Sequence, residues 1–200
     1  MKLLMAILLC GFSWGAHAEE VEIFSPKLAF RLGSGILVNT GTVGGSTLTT
    51  GGLNFVYTYF LTGSFALVAG YRADFDTQRN ILPIYGFDFG SRLYYWGQGT
   101  RSLIKIDSTT SERHDLMALY AIGELSSKTF YLGSNPKDAG TTSLTGNFVS
   151  LNVGTGLDLR VSRHFELNSE LTARLISLSA SDNRIRLKAY LLSLGVSYLF

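Results

Sequence analysis

Apolar side chains alternate with polar or small ones along most of this chain, with a period of two. Successive side chains of a β-strand point to opposite faces, so each such segment reads as a strand with one apolar wall. In 28–38 the apolar set is Leu28, Phe30, Leu32, Ile36 and Val38, against Ala29, Arg31, Gly33 and Gly35. In 53–61, Leu53, Phe55, Tyr57, Tyr59 and Leu61 oppose Asn54, Val56, Thr58 and Phe60. After a Thr-Gly-Ser turn at 62–64, Phe65, Leu67, Ala69, Tyr71, Ala73 and Phe75 oppose Ala66, Val68, Gly70, Arg72 and Asp74. Segment 82–96 sets Tyr85, Phe87, Phe89, Leu93 and Tyr95 against Gly86, Asp88, Gly90 and Arg92.

The C-terminal part repeats the pattern. Val149, Leu151, Val153, Leu157, Leu159 and Val161 alternate with Ser150, Asn152, Gly154, Gly156, Asp158 and Arg160. A short connection at 162–164 leads to Phe165, Leu167, Leu171, Ala173 and Leu175, opposed by Glu166, Asn168, Glu170, Thr172 and Arg174. Ala180-Ser181-Asp182-Asn183 interrupts before a last strand, whose apolar wall is Tyr190, Leu192, Leu194, Val196, Tyr198 and Phe200. Seven strands follow from these patterns.

Between 97 and 146 the pattern is ambiguous. Ser102–Ile106 alternates briefly, Leu116–Leu125 is densely apolar, and Lys128–Leu132 follows Ser126-Ser127. Counting all three as strands gives ten; counting one gives eight. Ten uses every apolar segment and is the favoured count.

The strand faces imply a solvent. No run after the leader approaches the roughly 18 apolar residues of a membrane helix, yet apolar residues make up 46% of the chain. A membrane protein without such helices must satisfy its backbone hydrogen bonds between strands, which requires a closed barrel. The expectation is an all-β, antiparallel, up-and-down transmembrane β-barrel of 8–10 strands with both termini periplasmic. The short connections at 62–64 and 162–164 then lie on the periplasmic side, and the longer Gly/Thr/Ser segments 39–52 and 135–146 lie outside the cell. A soluble lipocalin-like barrel is the competing fold, but it would turn its apolar wall inward and its charges out.

Residues 1–18, MKLLMAILLCGFSWGAHA, carry a short basic start at Lys2, an apolar stretch to about Trp14 and an A-x-A site at Ala16–Ala18. This is expected to be a cleaved secretory signal peptide. The lone cysteine, Cys10, leaves with it, so disulfide and thiol chemistry are excluded from the mature chain. Lys2 is the leader's only charge, leaving sixteen of the chain's 17 basic residues against 15 acidic ones. That balance gives no case for nucleic acid. The expected organisation is leader 1–18, a short periplasmic segment 19–27, and a barrel over 28–200.

The terminal alternation, Tyr190, Leu192, Leu194, Val196, Tyr198 and Phe200, resembles the C-terminal signature of bacterial outer-membrane β-barrel proteins, which their assembly machinery recognises. The chain is similar to small barrels of the OmpA/OmpX-like class over almost all of its mature length. That resemblance implies the outer membrane of a Gram-negative bacterium, with outer-membrane lipid, lipopolysaccharide and the barrel assembly machinery as partners, no cofactor, and a monomer. Tyr59, Phe65, Tyr95, Trp96 and Phe165 fall near predicted periplasmic strand ends and are assigned to an aromatic girdle at the headgroup level.

The predicted inner faces carry Arg31, Arg72, Asp74, Asp88, Arg92, Asp158, Arg160, Glu166, Glu170 and Arg174. Five positive and five negative charges suggest an ion-paired lumen filled with side chains. Some small barrels are lipid A enzymes or proteases, and His114-Asp115 could form an acid–base pair at the outer rim. Adjacent strand residues point to opposite faces, however, and no family catalytic motif surrounds them. His164 sits in a periplasmic turn. No two histidines have metal-ligand spacing, and there is no phosphate loop. The expected function is therefore a non-enzymatic outer-membrane barrel with a structural or surface-interaction role through its outer loops. The alternatives are a narrow channel for small solutes and a surface lipid hydrolase or protease.

Overall fold

The computed structural model describes residues 21–39, 47–76, 84–106, 109–132, 144–179 and 187–200. Eight strands close into an antiparallel barrel. They are β2 (Lys27–Asn39), β3 (Thr47–Thr62), β4 (Phe65–Asp76), β5 (Ile84–Trp96), β8 (Met117–Leu132), β9 (Leu144–Arg160), β10 (Phe165–Ser179) and β11 (Leu187–Leu199). Each pairs with its neighbour in sequence order, and β11 closes the wall against β2 with Leu199 opposite Lys27 and Leu187 opposite Asn39. Closure leaves no unpaired edge in the barrel wall.

Three short strands stand apart from the wall. β1 (Val21–Phe24) pairs with β6 (Ser102–Ile106), which pairs with β7 (Thr109–Arg113), all antiparallel. This small sheet lies at the end of the barrel where β2 begins and β11 stops, called here the terminal end.

The favoured count of ten strands is therefore corrected to eight, for two physical reasons. Ser126-Ser127 does not break the chain: Ser126 turns into the lumen, where its hydroxyl donates to Asp88, so 117–125 and 128–132 belong to the single strand β8. Ser102–Ile106 is five residues long, too short to span a bilayer, and finds its partners in β1 and β7 instead. The expected loops at 39–52 and 135–146 are also shorter than read. Thr47–Thr50 already belong to β3, where β-branched threonines suit a pleated surface, and β9 starts at Leu144. The 19–27 segment contains strand β1, and the barrel wall starts one residue earlier than expected, at Lys27. The leader and the break at 180–183 lie outside the described residues.

The wall is apolar outside and polar or small inside. Leu32, Phe55, Phe87, Phe89, Leu125, Leu171 and Leu194 are each about half exposed or more, as are many others around the circumference. Every one of the ten charged residues assigned to the inner faces is buried. This is the reverse of a soluble lipocalin-like arrangement, and such a continuous apolar surface is stable against lipid rather than water.

The turns at the terminal end are tight. In the β3–β4 turn, Thr62 Oγ1 accepts hydrogen bonds from Ser64 N at 3.3 Å and Phe65 N at 3.0 Å. Ser162 Oγ plays the same part for Phe165 N at 3.2 Å in the β9–β10 turn. Hydroxyl side chains capping the next backbone amides favour such turns locally.

Candidate functional site

Among the described residues, the lumen gathers most of the buried charged side chains. Near its middle, Glu170 Oε2 accepts from Arg31 Nη1 at 2.7 Å, Arg92 Nη2 at 2.9 Å and the Tyr120 hydroxyl at 3.0 Å. One carboxylate oxygen thus joins β2, β5, β8 and β10. Arg31 Nε also donates to Asn168 Oδ1 at 2.7 Å, and Arg92 Nη1 donates to Thr58 Oγ1 at 3.3 Å. The Arg92 guanidinium lies 4.6 Å from the Tyr120 ring centroid, so the ring face carries part of its charge. Room for Tyr120 comes from Gly156 on β9, where a Cβ would run into the phenol ring. Small residues opposite large ones are how narrow barrels fill their interiors.

Closer to the terminal end, Lys27 Nζ binds Asp158, Glu166 at 3.0 Å and the carbonyl of Gly99 at 3.0 Å. All three ammonium protons are used. The Tyr94 hydroxyl donates to Asp158 at 3.0 Å, and Arg160 Nη2 reaches Glu166 Oε1 at 3.2 Å. Toward the far end, Arg72 Nη2 donates to Ser193 Oγ at 3.0 Å and its Nε lies 3.8 Å from Asp74. Lys128 Nζ pairs with Asp88 at 3.1 Å. Among the described residues, Arg174 has no hydrogen bond from any guanidinium nitrogen, and its charge rests on the Phe148 ring, 5.0 Å away.

Of the ten lumen charges read from sequence, Arg31, Arg92 and Glu170 form one cluster; Arg160 and Glu166 form a pair, to which Asp158 is joined only through Lys27; Arg72 and Asp74 form a loose pair; and Arg174 pairs with none of them. Asp88 joins none of the other nine. Sequence reading missed Lys27, Lys128, Glu124, Tyr94 and Tyr120, all buried. Lys27 shares the parity of Arg31, and Lys128 that of Ser126, so extending the alternation by one step would have found both. With these additions the described lumen holds seven basic and six acidic side chains.

The terminal mouth is stoppered by residues 97–101. Gly97 adopts a φ of +69°, which starts the chain across the opening. Gly99 N then donates to Gly63 O at 3.1 Å, and a Cβ at Gly99 would run into the Tyr94 ring. The Thr100 hydroxyl donates to Ser25 O at 2.6 Å, and Arg101 Nη2 donates to Phe200 O at 3.0 Å. Beneath them, Phe24 of β1 packs on the inner cluster that contains Phe60, Tyr94 and Tyr120.

The other candidate residues lie at this same end. The His114-Asp115 pair sits between β7 and β8, so its placement at the opposite, outer rim is corrected: 116–125 starts a wall strand, and the connection before it falls beside the termini. Asp115 Oδ2 accepts from Gln98 N at 2.6 Å, which turns it toward the stopper. His164 Nδ1 is 3.1 Å from Leu199 O, with its ring stacked on Tyr198. Among the described residues, no group of three His, Cys, Asp or Glu side chains could hold a metal ion. On the outer face, Tyr59, Tyr95, Trp96 and Phe165 are exposed and Phe65 is half-buried, all within a few residues of the terminal strand ends. The wall from Tyr190 to Tyr198 faces outward from β11; Phe200 follows that strand, and both Phe165 and Phe200 meet the Tyr198 ring edge-on.

A closed eight-stranded wall, apolar outside and charged inside, narrows the comparison to one class of protein. The N-terminal barrel domain of Pseudomonas aeruginosa OprF matches with a TM-score of 0.52 at 11% identity, over 86% of this chain and 97% of that one. The fold is that of a small outer-membrane β-barrel. Neisserial surface protein A matches equally well, with a TM-score of 0.52, 12% identity and the same coverage. OprG, an outer membrane protein of Pseudomonas aeruginosa, matches at 0.50 with 14% identity, over 88% of this chain and 97% of that one. No family model matches the sequence, and no curated protein does. At these identities the likeness reaches the barrel and stops there.

Proposed function

We propose that this protein is an integral outer-membrane barrel without enzymatic activity, whose role is structural or lies in surface contacts made by the connections at the far end. The observation that carries this reading is the pairing of a continuous lipid-compatible outer face with a filled, ion-paired lumen stoppered at residues 97–101. In this reading the terminal end faces the periplasm and the far end faces outside. The outward wall of β11 with Phe200 serves as the assembly signal, and Tyr59, Phe65, Tyr95, Trp96 and Phe165 anchor the barrel at the periplasmic interface. The lipid partners are those of the outer membrane, lipopolysaccharide among them, and the barrel acts as a monomer.

The packing argues against the channel alternative. Tyr120, Arg31 and Arg92 fill the middle of the lumen and Gly99 closes one mouth, whereas open aqueous paths belong to much wider barrels. The hydrolase alternative rests on His114 paired with Asp115, and the carboxylate of Asp115 accepts from Gln98 N instead.

Membrane fractionation with a heat-modifiability gel tests the core of the proposal. The expected result is a detergent-requiring protein with a faster-migrating unboiled form. Release without detergent, with no such form, overturns it. Planar-bilayer recordings of the folded protein are expected to show no steps above baseline, and regular steps would restore the channel reading.

A further inference from the structure

At the terminal end, outside the lumen, a groove of about 640 Å³ runs between the β7–β8 connection and the β9–β10 turn. Its lining includes Glu112, His114, Leu116, Arg160, Val161 and Arg163. Two features characterise it. Leu116 and Val161 are 71% and 63% exposed, and they continue directly from Met117 and Leu159, a register pair on the apolar outer wall. The groove therefore opens at the rim of the lipid-facing belt.

The second feature is an excess of positive charge. Glu112 is the only carboxylate in the lining, and it is already shared between Arg163 at 3.3 Å and Arg101 at 3.7 Å. Arg160, behind the groove wall, spends Nη2 on Glu166, a carboxylate that Lys27 also holds. Among the described residues, its Nε and Nη1 have no hydrogen-bond partner although the residue is only 8% exposed. Arg101, equally buried, leaves its Nη1 unpartnered as well. Arg101, Arg160 and Arg163 thus divide Glu112 and Glu166 between them, with Phe200 O taking Arg101 Nη2, and Glu166 is also claimed by Lys27. The imidazole of His114 is exposed beside them.

A cation-rich groove with an apolar lip at the edge of a membrane belt fits a ligand that is anionic at its head and apolar at its tail. We propose that the groove binds the phosphate of an anionic glycerophospholipid in the leaflet at the terminal end. Arg163 and Arg160 supply the charge that holds the phosphate, and Leu116 and Val161 carry the start of its acyl chains. Guanidinium forks match phosphate oxygens in geometry and charge. The inference rests on the membrane-barrel reading above.

Native mass spectrometry of the folded, detergent-solubilised protein tests it, with short-chain phosphatidylglycerol, short-chain phosphatidylcholine and inorganic phosphate as separate probes. The heat-modifiable form is checked before any probe is added, so failure of the barrel reading shows itself first and separately. The expected result is a retained phosphatidylglycerol adduct, with phosphatidylcholine stripped at the same collision energy. Arg163→Gln, at a position 67% exposed on its side chain, should fold normally and lower the bound fraction about fivefold, the size expected for one basic side chain at an anionic lipid surface. Arg160→Gln should lower it by a similar factor. Equal retention of both lipids, or undiminished phosphatidylglycerol binding in both variants, overturns the proposal. Displacement of the lipid by millimolar inorganic phosphate overturns the lipid as the source.

Discussion

Glu170 and Arg31 meet at 2.7 Å across a separation of 139 residues, and the same carboxylate oxygen also holds Arg92. All three side chains are almost wholly buried, so neither cation has water to fall back on. Removing one partner of a buried ion pair costs far more than the pair contributes, because it strands the other charge. Glu170→Gln strands two. It should lower stability by about 3–5 kcal/mol, read as a shift in the urea midpoint of the detergent-folded barrel. A midpoint equal to wild type would show that the three groups are not joined.

The fit of Tyr120 against Gly156 predicts a size-dependent coupling. Gly156→Ala should cost about 1–3 kcal/mol, since the new methyl overlaps the phenol ring. In a Tyr120→Ala background the same methyl has room, and its added cost should largely vanish. Strictly additive effects in that double-mutant cycle would contradict the contact.

Adjacent residues of β11 should respond oppositely to bulk and to charge. Leu194 is exposed and Ser193 is fully buried beside Arg72. Leu194→Phe should be nearly silent, whereas Leu194→Arg should cost roughly 2–4 kcal/mol near the bilayer midplane. Ser193→Phe, which overfills the lumen, should cost about 1–3 kcal/mol. Equal tolerance of Phe at the two positions, measured by equilibrium unfolding, would mean that the faces are reversed.

Trp96 offers a depth gauge, since Trp14 lies in the expected leader and the chain has two tryptophans. Its indole is exposed at the terminal end of β5, opposite Leu119. In vesicles, lipids brominated near the headgroup should quench its fluorescence more strongly than lipids brominated at the chain ends. The reverse order would place this end of the barrel deep in the hydrocarbon.

The parity of the strands was legible in the sequence because two-residue alternation is a local property, and a one-residue slip would exchange the two faces. That is why the ten charges assigned to the inner faces all lie buried, and why Leu194 and Ser193 could be told apart. Strand count was not legible in the same way. Whether Ser126-Ser127 ends a strand depends on Asp88, 38 residues earlier, being there to receive the hydroxyl. Nor could the pattern reveal what stoppers the mouth. Residues 97–101 have no alternation, and their place is set by Gly63, Ser25, Lys27 and Phe200, which come from three other parts of the chain. The groove at Arg160 and Arg163 is hidden for a related reason, since Glu112 reaches it from β7, a strand that the alternation does not predict.

Lys27 stands at the start of the wall, and its partners Asp158 and Glu166 come 131 and 139 residues later. Its charge can be neutralised only once β11 has met β2 and the cylinder exists. A half-built, open sheet would present that ammonium, together with Arg31 and Glu170, to whatever fills the concave side. In hydrocarbon this intermediate is prohibitively costly, so lateral closure and insertion have to occur as one coupled event, or within a protein-lined enclosure that supplies water. Long-range pairings of this kind also make folding slow, since the entropy of closing the chain is spent before any of them forms. The lumen charges thus act as a timing constraint on assembly, penalising every partly closed state until the last strand locks against the first.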